Sequence, residues 1–287
     1  MLITIAFAMT LQDARDDAFA RGESLRLSGR LVEARAELTR ALAQRPADAQ
    51  VLESLGVVEL MLGELEPALP RLQQAARVSP NVADHHYNLG IALAQLQRYG
   101  DALEEFRRTI AIAPEHAAAH HNLAHTLINQ GALEEALHEL EQAVALESSF
   151  AESHYLIALA LTQMPRDPRR IARAKHEIET ALALDPQHAG ALHVRGLIEL
   201  RAGDVAAAIT ALRAAVSIKP DWAEPYYALG TALAVIGARE RAMKTLEFFA
   251  DLERFQRSLK NIDRLIELNC AAGITRASRS CSGERGR

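Results

Sequence analysis

Residues 85–114 read "HHYNLGIALAQLQRYGDALEEFRRTIAIAP", and residues 120–148 read "HHNLAHTLINQGALEEALHELEQAVALES". Aligned on Asn88-Leu89 and Asn122-Leu123, the two stretches lie 34 residues apart. The prolines keep the same beat: Pro46, Pro80, Pro114, then Ser148 in a proline position, then Pro186 and Pro220. The step from Ser148 to Pro186 is 38, which places a four-residue insertion near "QMPRDPRR", residues 163–170, a stretch with two prolines and no apolar period. A fixed period of this length marks a chain built from stacked copies of one small unit.

Each period holds two helices. In the third, Leu89, Ala92, Leu93 and Leu96 line one face of the first helix, and Ala102, Leu103, Phe106 and Ile110 line one face of the second. That is a 3.6-residue pattern broken by a short turn. Gly29, Gly63, Gly131, Gly203 and Gly237 recur in the turn, with Gln97 in the equivalent place of the third period. A glycine there suits a left-handed residue just past a helix end. Small residues recur as well. Gly22, Gly56, Gly90, Ala124, Ala158, Gly196 and Gly230 share one position of the first helix. Ala34, Ala68, Ala102, Ala136, Ala174, Ala208 and Ala242 share one of the second. Two helices that cross closely at these points leave no room for a larger side chain.

The two-helix, 34-residue pattern resembles the tetratricopeptide repeat family, whose motif carries Leu-Gly, Ala, a bulky residue, Ala and Pro at these spacings. The resemblance covers seven tandem repeats over residues 15–256: 15–48, 49–82, 83–116, 117–150, 151–188, 189–222 and a degenerate 223–256. It implies an all-α solenoid, a right-handed superhelix of helical hairpins stabilised by neighbour-to-neighbour stacking. Residues 1–14 are an N-terminal segment. Phe255, Leu259, Ile262 and Ile266 form one more apolar face, and 257–269 is expected as a solvating cap helix. Residues 270–287 form a basic tail without periodicity, expected to be disordered.

Composition narrows the function. A net charge of -5 argues against a nucleic-acid binder, which needs a basic face. Both cysteines, Cys270 and Cys281, lie beyond the repeats, so no disulfide framework holds the body together. No apolar run reaches the ~18 residues of a membrane span. The start, "MLITIAFAMT", is apolar and contains Ala6-Phe7-Ala8, but lacks the basic region and longer apolar core of an export signal. The cytoplasm is the expected compartment, with an exported, envelope-assembly role as the alternative.

His121 and His125 are spaced i, i+4, the histidine spacing of a zinc helix, but the glutamate of that motif is missing. His86, His120 and His154 recur at 34-residue steps and are expected to pack between neighbouring helices. No cysteine or acidic residue is evident in register with them, so no metal or other cofactor is expected. "HELE" at His138 and "HEIE" at His176 each lack a second histidine, and no phosphate-binding loop, dinucleotide fingerprint or nucleophile elbow occurs. No enzyme activity is expected.

The family resemblance implies that the first helices line a concave groove, with positions two, five, six, nine, twelve and thirteen of each repeat facing it. These positions hold Asp84, Tyr87, Asn88, Gln95, His121, Asn122, His125, Asn129, Glu152, Tyr155 and Gln163. An asparagine amide can pair with both N–H and C=O of an extended peptide, whatever that peptide's side chains. The segment "AAAHHNLA" is similar to repeats of the O-linked N-acetylglucosamine transferase family, which carry a ladder of such asparagines; here only two repeats keep one, and no catalytic domain is expected. The alternative is that Asn88 and Asn122 bond to neighbouring helices, since buried amides need partners. The chaperone carboxylate clamp is not expected, because no repeat has Lys at five or Asn at nine. The expected function is a noncatalytic scaffold or adaptor for other proteins or peptides.

Overall fold

The computed structural model describes residues 18–165, 167–236 and 241–254. The expected N-terminal segment 1–14, cap helix 257–269 and tail 270–287 lie outside the described residues. The chain divides into two compact units, Met1–Ser148 and Ser149–Arg287.

Every described element is a helix. The first unit holds α1 (18–27), α2 (Leu31–Gln44), α3 (Ala49–Met61), α4 (Leu65–Val78), α5 (Ala83–Gln95), α6 (Tyr99–Ile112), α7 (Ala117–Asn129) and α8 (Leu133–Leu146). The second holds α9 (Ala151–Gln163), α10 (Pro168–Leu184), α11 (Ala189–Ala202), α12 (Val205–Ile218), α13 (Ala223–Val235) and α14 (241–254). Within each unit a first helix packs on the second helix of its own hairpin, and that helix packs on the next first helix, as in the series α3, α4, α5, α6 and α7. First helices also touch each other, α3 with α5, α5 with α7, α9 with α11 and α11 with α13. This is the all-helical, stacked-hairpin pattern of a solenoid.

The small positions explain the tight pairing. A Cβ on Gly90 would sit 2.6 Å from Phe106 Cε1, and one on Gly56 would sit 2.8 Å from Leu72 Cγ. Ala34, Ala68, Ala102, Ala136, Ala174 and Ala208 have no exposed surface at all. The turn is set by a left-handed residue: Gly29, Gly63, Gly131 and Gly203 have φ between 76 and 87°, and Gln97 adopts 58°. After that residue the chain closes a six-to-one hydrogen bond back onto the helix. Arg98 N–H donates to the Leu93 carbonyl at 2.9 Å, and Ala132 N–H to that of Leu127 at 3.0 Å.

The insertion adds only one residue to the connection, 164–167 against 130–132. It lengthens a helix: α10 has 17 residues, against 14 in α8. Pro168 opens α10, where its missing N–H costs nothing, and the Asp167 carboxylate accepts the Arg169 N–H as a cap.

Candidate functional site

In the first unit, α5 and α7 place side by side the residues that the repeat register assigns to one face. Asp84, Gln95, His125 and Asn129 are exposed, and Tyr87, Asn88, His121 and Asn122 are half-buried. Both asparagines reach back one repeat. Asn88 Nδ2 donates to Glu53 Oε1 on α3 at 2.8 Å, and Asn122 Nδ2 donates to the Tyr87 hydroxyl at 3.0 Å. Each amide thereby uses one N–H within the chain. Its carbonyl and second N–H make no bond among the described residues, so the inter-helix role and a role toward a ligand are compatible. Burial pushes the Tyr87 phenol above its ordinary range, while the bond from Asn122 opposes that shift.

Tyr87 also packs against His116, ring centroids 4.6 Å apart. His116 precedes α7, and its Nδ1 accepts the Ala119 N–H at 3.1 Å. Its Nε2 therefore carries the proton and lies 3.6 Å from Asp84 Oδ1. The second unit repeats this device. His188 Nδ1 accepts the Ala191 N–H at 3.1 Å, Nε2–H donates to Glu152 Oε2 at 2.6 Å, and the ring lies 4.8 Å from that of Tyr155. The bond to Glu152 raises the His188 basicity above the usual histidine range.

Glu152, exposed on α9, and half-buried Tyr155 form part of a cleft of about 510 Å³, with His188, Gly190, Lys219, Asp221 and Trp222 as the other walls. Gly190 is required there: a Cβ would sit 2.9 Å from Tyr155 Cζ. The Trp222 ring meets His193 edge-on at 4.9 Å. Burial holds the His193 imidazole down to about 4, so it is neutral at physiological pH. Exposed Gln163 closes the set of residues assigned to this face.

His116, His188 and Trp222 were missed in the sequence because they precede the helices, outside the six face positions. A signal was present: the residue before each first helix reads Asp48, Val82, His116, Phe150, His188 and Trp222, a column that turns ring-bearing from the third repeat's end onward.

The recurring histidines have acidic partners after all. His86, His120 and His154 are buried, as packing residues would be. Yet each Nδ1 faces a glutamate on the second helix of its own repeat: Glu105 at 2.6 Å, Glu139 at 2.6 Å and Glu177 at 2.7 Å. In the first two, Nε2 also lies 3.0 Å from a loop carbonyl, that of Pro80 or Pro114. A carbonyl only accepts, so Nε2 is assigned the proton, and a further proton lies between Nδ1 and the carboxylate. The arrangement is a buried His–carboxylate hydrogen bond fastening the two helices of a hairpin. Its register was legible: Glu follows His by 19, 19 and 23 residues, the last lengthened by the insertion. The sixth repeat has Leu192 and Ala211 at the two positions, whereas the first keeps the glutamate as Glu37 opposite Ala18, where it accepts from Arg21 and Arg40 instead.

The chain belongs to the tetratricopeptide repeat family. One profile of that description matches residues 19–70, 67–117 and 166–225, more than half of the chain, and another matches 93–160. No match was found among curated proteins. Among solved structures, PilF of Pseudomonas aeruginosa is 19% identical over 74% of this chain and 94% of its own, with a TM-score of 0.64. A tetratricopeptide repeat protein of Parabacteroides merdae is 16% identical over 88% and 98%, with a TM-score of 0.66. YrrB, a tetratricopeptide protein described as having an unusual peptide-binding site, is 22% identical over 64% and 93%, with a TM-score of 0.52. The family is typically noncatalytic, and its repeats imply a protein-interaction scaffold. No described helix is long and apolar enough to cross a membrane.

Proposed function

We propose that this chain is a noncatalytic scaffold that holds an extended peptide segment of a partner protein on the first-helix face of its repeats. In the first unit the contact residues are Asp84, Tyr87, Asn88, Gln95, His121, Asn122, His125 and Asn129. In the second, Glu152 and Tyr155 belong to the equivalent face. The observation that carries this is the pair Asn88 and Asn122. Each amide is fixed by one hydrogen bond to the preceding repeat, and each keeps a carbonyl and an N–H for a peptide backbone. A pre-oriented amide loses little freedom on binding, which favours affinity without demanding a particular partner side chain.

The test is affinity capture with the native chain and with an Asn88→Ala/Asn122→Ala variant, read by quantitative mass spectrometry beside thermal melting. Partners held by the native chain should be lost from the variant. Melting should drop only slightly, since two hydrogen bonds of about 1 kcal/mol each are removed from half-exposed positions. Capture that persists while melting falls steeply would make the two residues structural and refute the proposal.

A further inference from the structure

We propose that Arg169, Arg170 and Arg201 in the second unit form a docking point for a run of acidic side chains in the bound peptide segment. This deepens the peptide-scaffold proposal and rests on it, in taking the ligand to be a peptide lying on the first-helix face. Its origin is the insertion in the fifth repeat. Residues 164–170 read "MPRDPRR", three arginines against one aspartate, in a chain whose net charge is -5. The residues by which α10 exceeds α8 are Pro168, Arg169 and Arg170, at its start.

The other turns show what is unusual here. Arg30 and Arg98 stand in the turns after α1 and α5, and each is paired with an acid three residues on, Glu33 and Asp101. The residues three after Arg169 and Arg170 are Ala172 and Arg173, so neither can form that pair. Arg169 is exposed, and its guanidinium makes no hydrogen bond or ion pair among the described residues. Arg170 Nη1 donates to the Pro165 carbonyl at 3.4 Å. From α11, exposed Arg201 Nη1 donates to the Thr162 carbonyl at 3.1 Å. The backbone between these two carbonyls spans at most about 11 Å, so both guanidiniums are drawn to one short stretch. Their partners are neutral, and most of their five N–H donors are unused. The acids around them are engaged elsewhere. Asp167 Oδ1 accepts the Arg169 N–H, and Asp204 Oδ1 accepts the Ala207 N–H. Glu177 pairs with His154, and Glu199 with Lys175.

Two features choose the ligand. Arg201 is the thirteenth residue of its repeat, the position Gln163 holds in the fifth, and α11 touches α9. It therefore stands at the edge of the face assigned to the peptide, away from every position of the chaperone carboxylate clamp. Second, the Asp167 carboxylate already occupies the first amides of α10, so a phosphate dianion would meet a fixed negative charge there. Carboxylates spaced along a chain suit separate guanidiniums, each of which can hold one in a two-point fork.

The full chain is titrated, by fluorescence anisotropy at low salt, with fluorescein-labelled glycine-serine peptides. They carry four consecutive glutamates, glutamines or lysines, or two phosphoserines of about the same total charge as the glutamates. The glutamate peptide should bind saturably, roughly tenfold tighter than the glutamine peptide, and the lysine peptide should not bind. Arg169→Gln/Arg170→Gln should weaken it roughly fivefold with the melting curve unchanged, and Arg201→Gln roughly threefold. Arg30→Gln/Arg98→Gln removes the same charge from paired positions and should leave the affinity within about twofold. The inference is overturned if the glutamate and glutamine peptides bind alike, if the phosphoserine peptide binds tighter, or if both double variants lose the same affinity. The Asn88→Ala/Asn122→Ala variant separates the two proposals. If it loses partners while the native chain shows no preference for glutamate, the docking point falls and the scaffold stands. If it keeps its partners while arginine-dependent glutamate binding holds, the groove assignment falls and the arginines stand as an anion site on their own.

Discussion

Removing His86 tests whether the repeating His–Glu pair fastens a hairpin or merely fills space. His86 makes two bonds, Nδ1 to Glu105 at 2.6 Å and Nε2 to the Pro80 carbonyl at 3.0 Å. Both side chains of the pair are at least nine-tenths buried. Breaking one partner of a buried pair ordinarily costs about 3–5 kcal/mol, because the other charge is stranded. Here the stranded carboxylate keeps one companion, since Arg108 Nη1 donates to Glu105 Oε1 at 2.7 Å from a half-exposed side chain. That lowers the expected cost of His86→Leu to about 2–3 kcal/mol. Glu105→Ala should cost a similar amount, because it leaves His86 Nδ1 buried without an acceptor.

The double variant is the informative one. His86→Leu/Glu105→Ala copies the pairing that the sixth repeat already uses, buried Leu192 with buried Ala211. It strands no charge, so it should cost less than the two single changes together by about 2 kcal/mol or more. Stacked repeats need not unfold in one step, so the free energies are best read from native-state hydrogen exchange of the α5 amides. Costs that simply add, or a His86→Leu variant as stable as the native chain, would refute the His–Glu pairing and restore plain packing.

Two further outcomes follow from single positions. Burial holds His193 down to about 4, below the ~6.5 of an unfolded histidine, so the unfolded chain takes up the proton first as pH falls. Stability of the second unit should therefore be full above pH 6.5 and decline between pH 6.5 and 4, by at most about 3 kcal/mol. His193→Gln should flatten this acid limb, and a melting series that shows the same slope in both chains would refute it. Gly90→Ala should cost about 1–3 kcal/mol, because the added methyl meets the Phe106 ring at 2.6 Å. Adding Phe106→Leu should recover part of that loss, since the fourth repeat combines Ala124 with Leu140; urea titration with no recovery would refute the steric cause.

Period and composition carried the fold because a solenoid repeats its physics. Each hairpin needs a close crossing, a left-handed turn and a helix stop, so Gly56, Gly63 and Pro80 recur as a set and can be recognised without knowing any contact. Even Gln97, the one non-glycine described at a positive φ, was placed by register alone. The site was less legible for a definable reason. Face positions on a helix follow from periodicity, so Tyr87, Asn88, His121 and Asn122 could be assigned to one surface. Residues before a helix have no such periodicity, and the directions of His116, His188 and Trp222 depend on cap geometry that the sequence does not display. The buried pairs failed differently. His86 and Glu105 are 19 residues apart on two helices, and each alone suits a reading as packing or as solvated charge. Comparison between repeats reveals that each of the three histidines comes with a glutamate in the same register, while the sixth repeat holds Leu192 and Ala211 there and the first holds Glu37 without the histidine. In a repeat protein the neighbouring repeats supply the comparison that other folds require from relatives, and polar columns can be paired by that test as readily as apolar ones. Applied to the residue before each first helix, it separates the polar or aliphatic Asp48 and Val82 from the ring-bearing His116, Phe150, His188 and Trp222, a column in which the ring is the repeated feature of the later repeats.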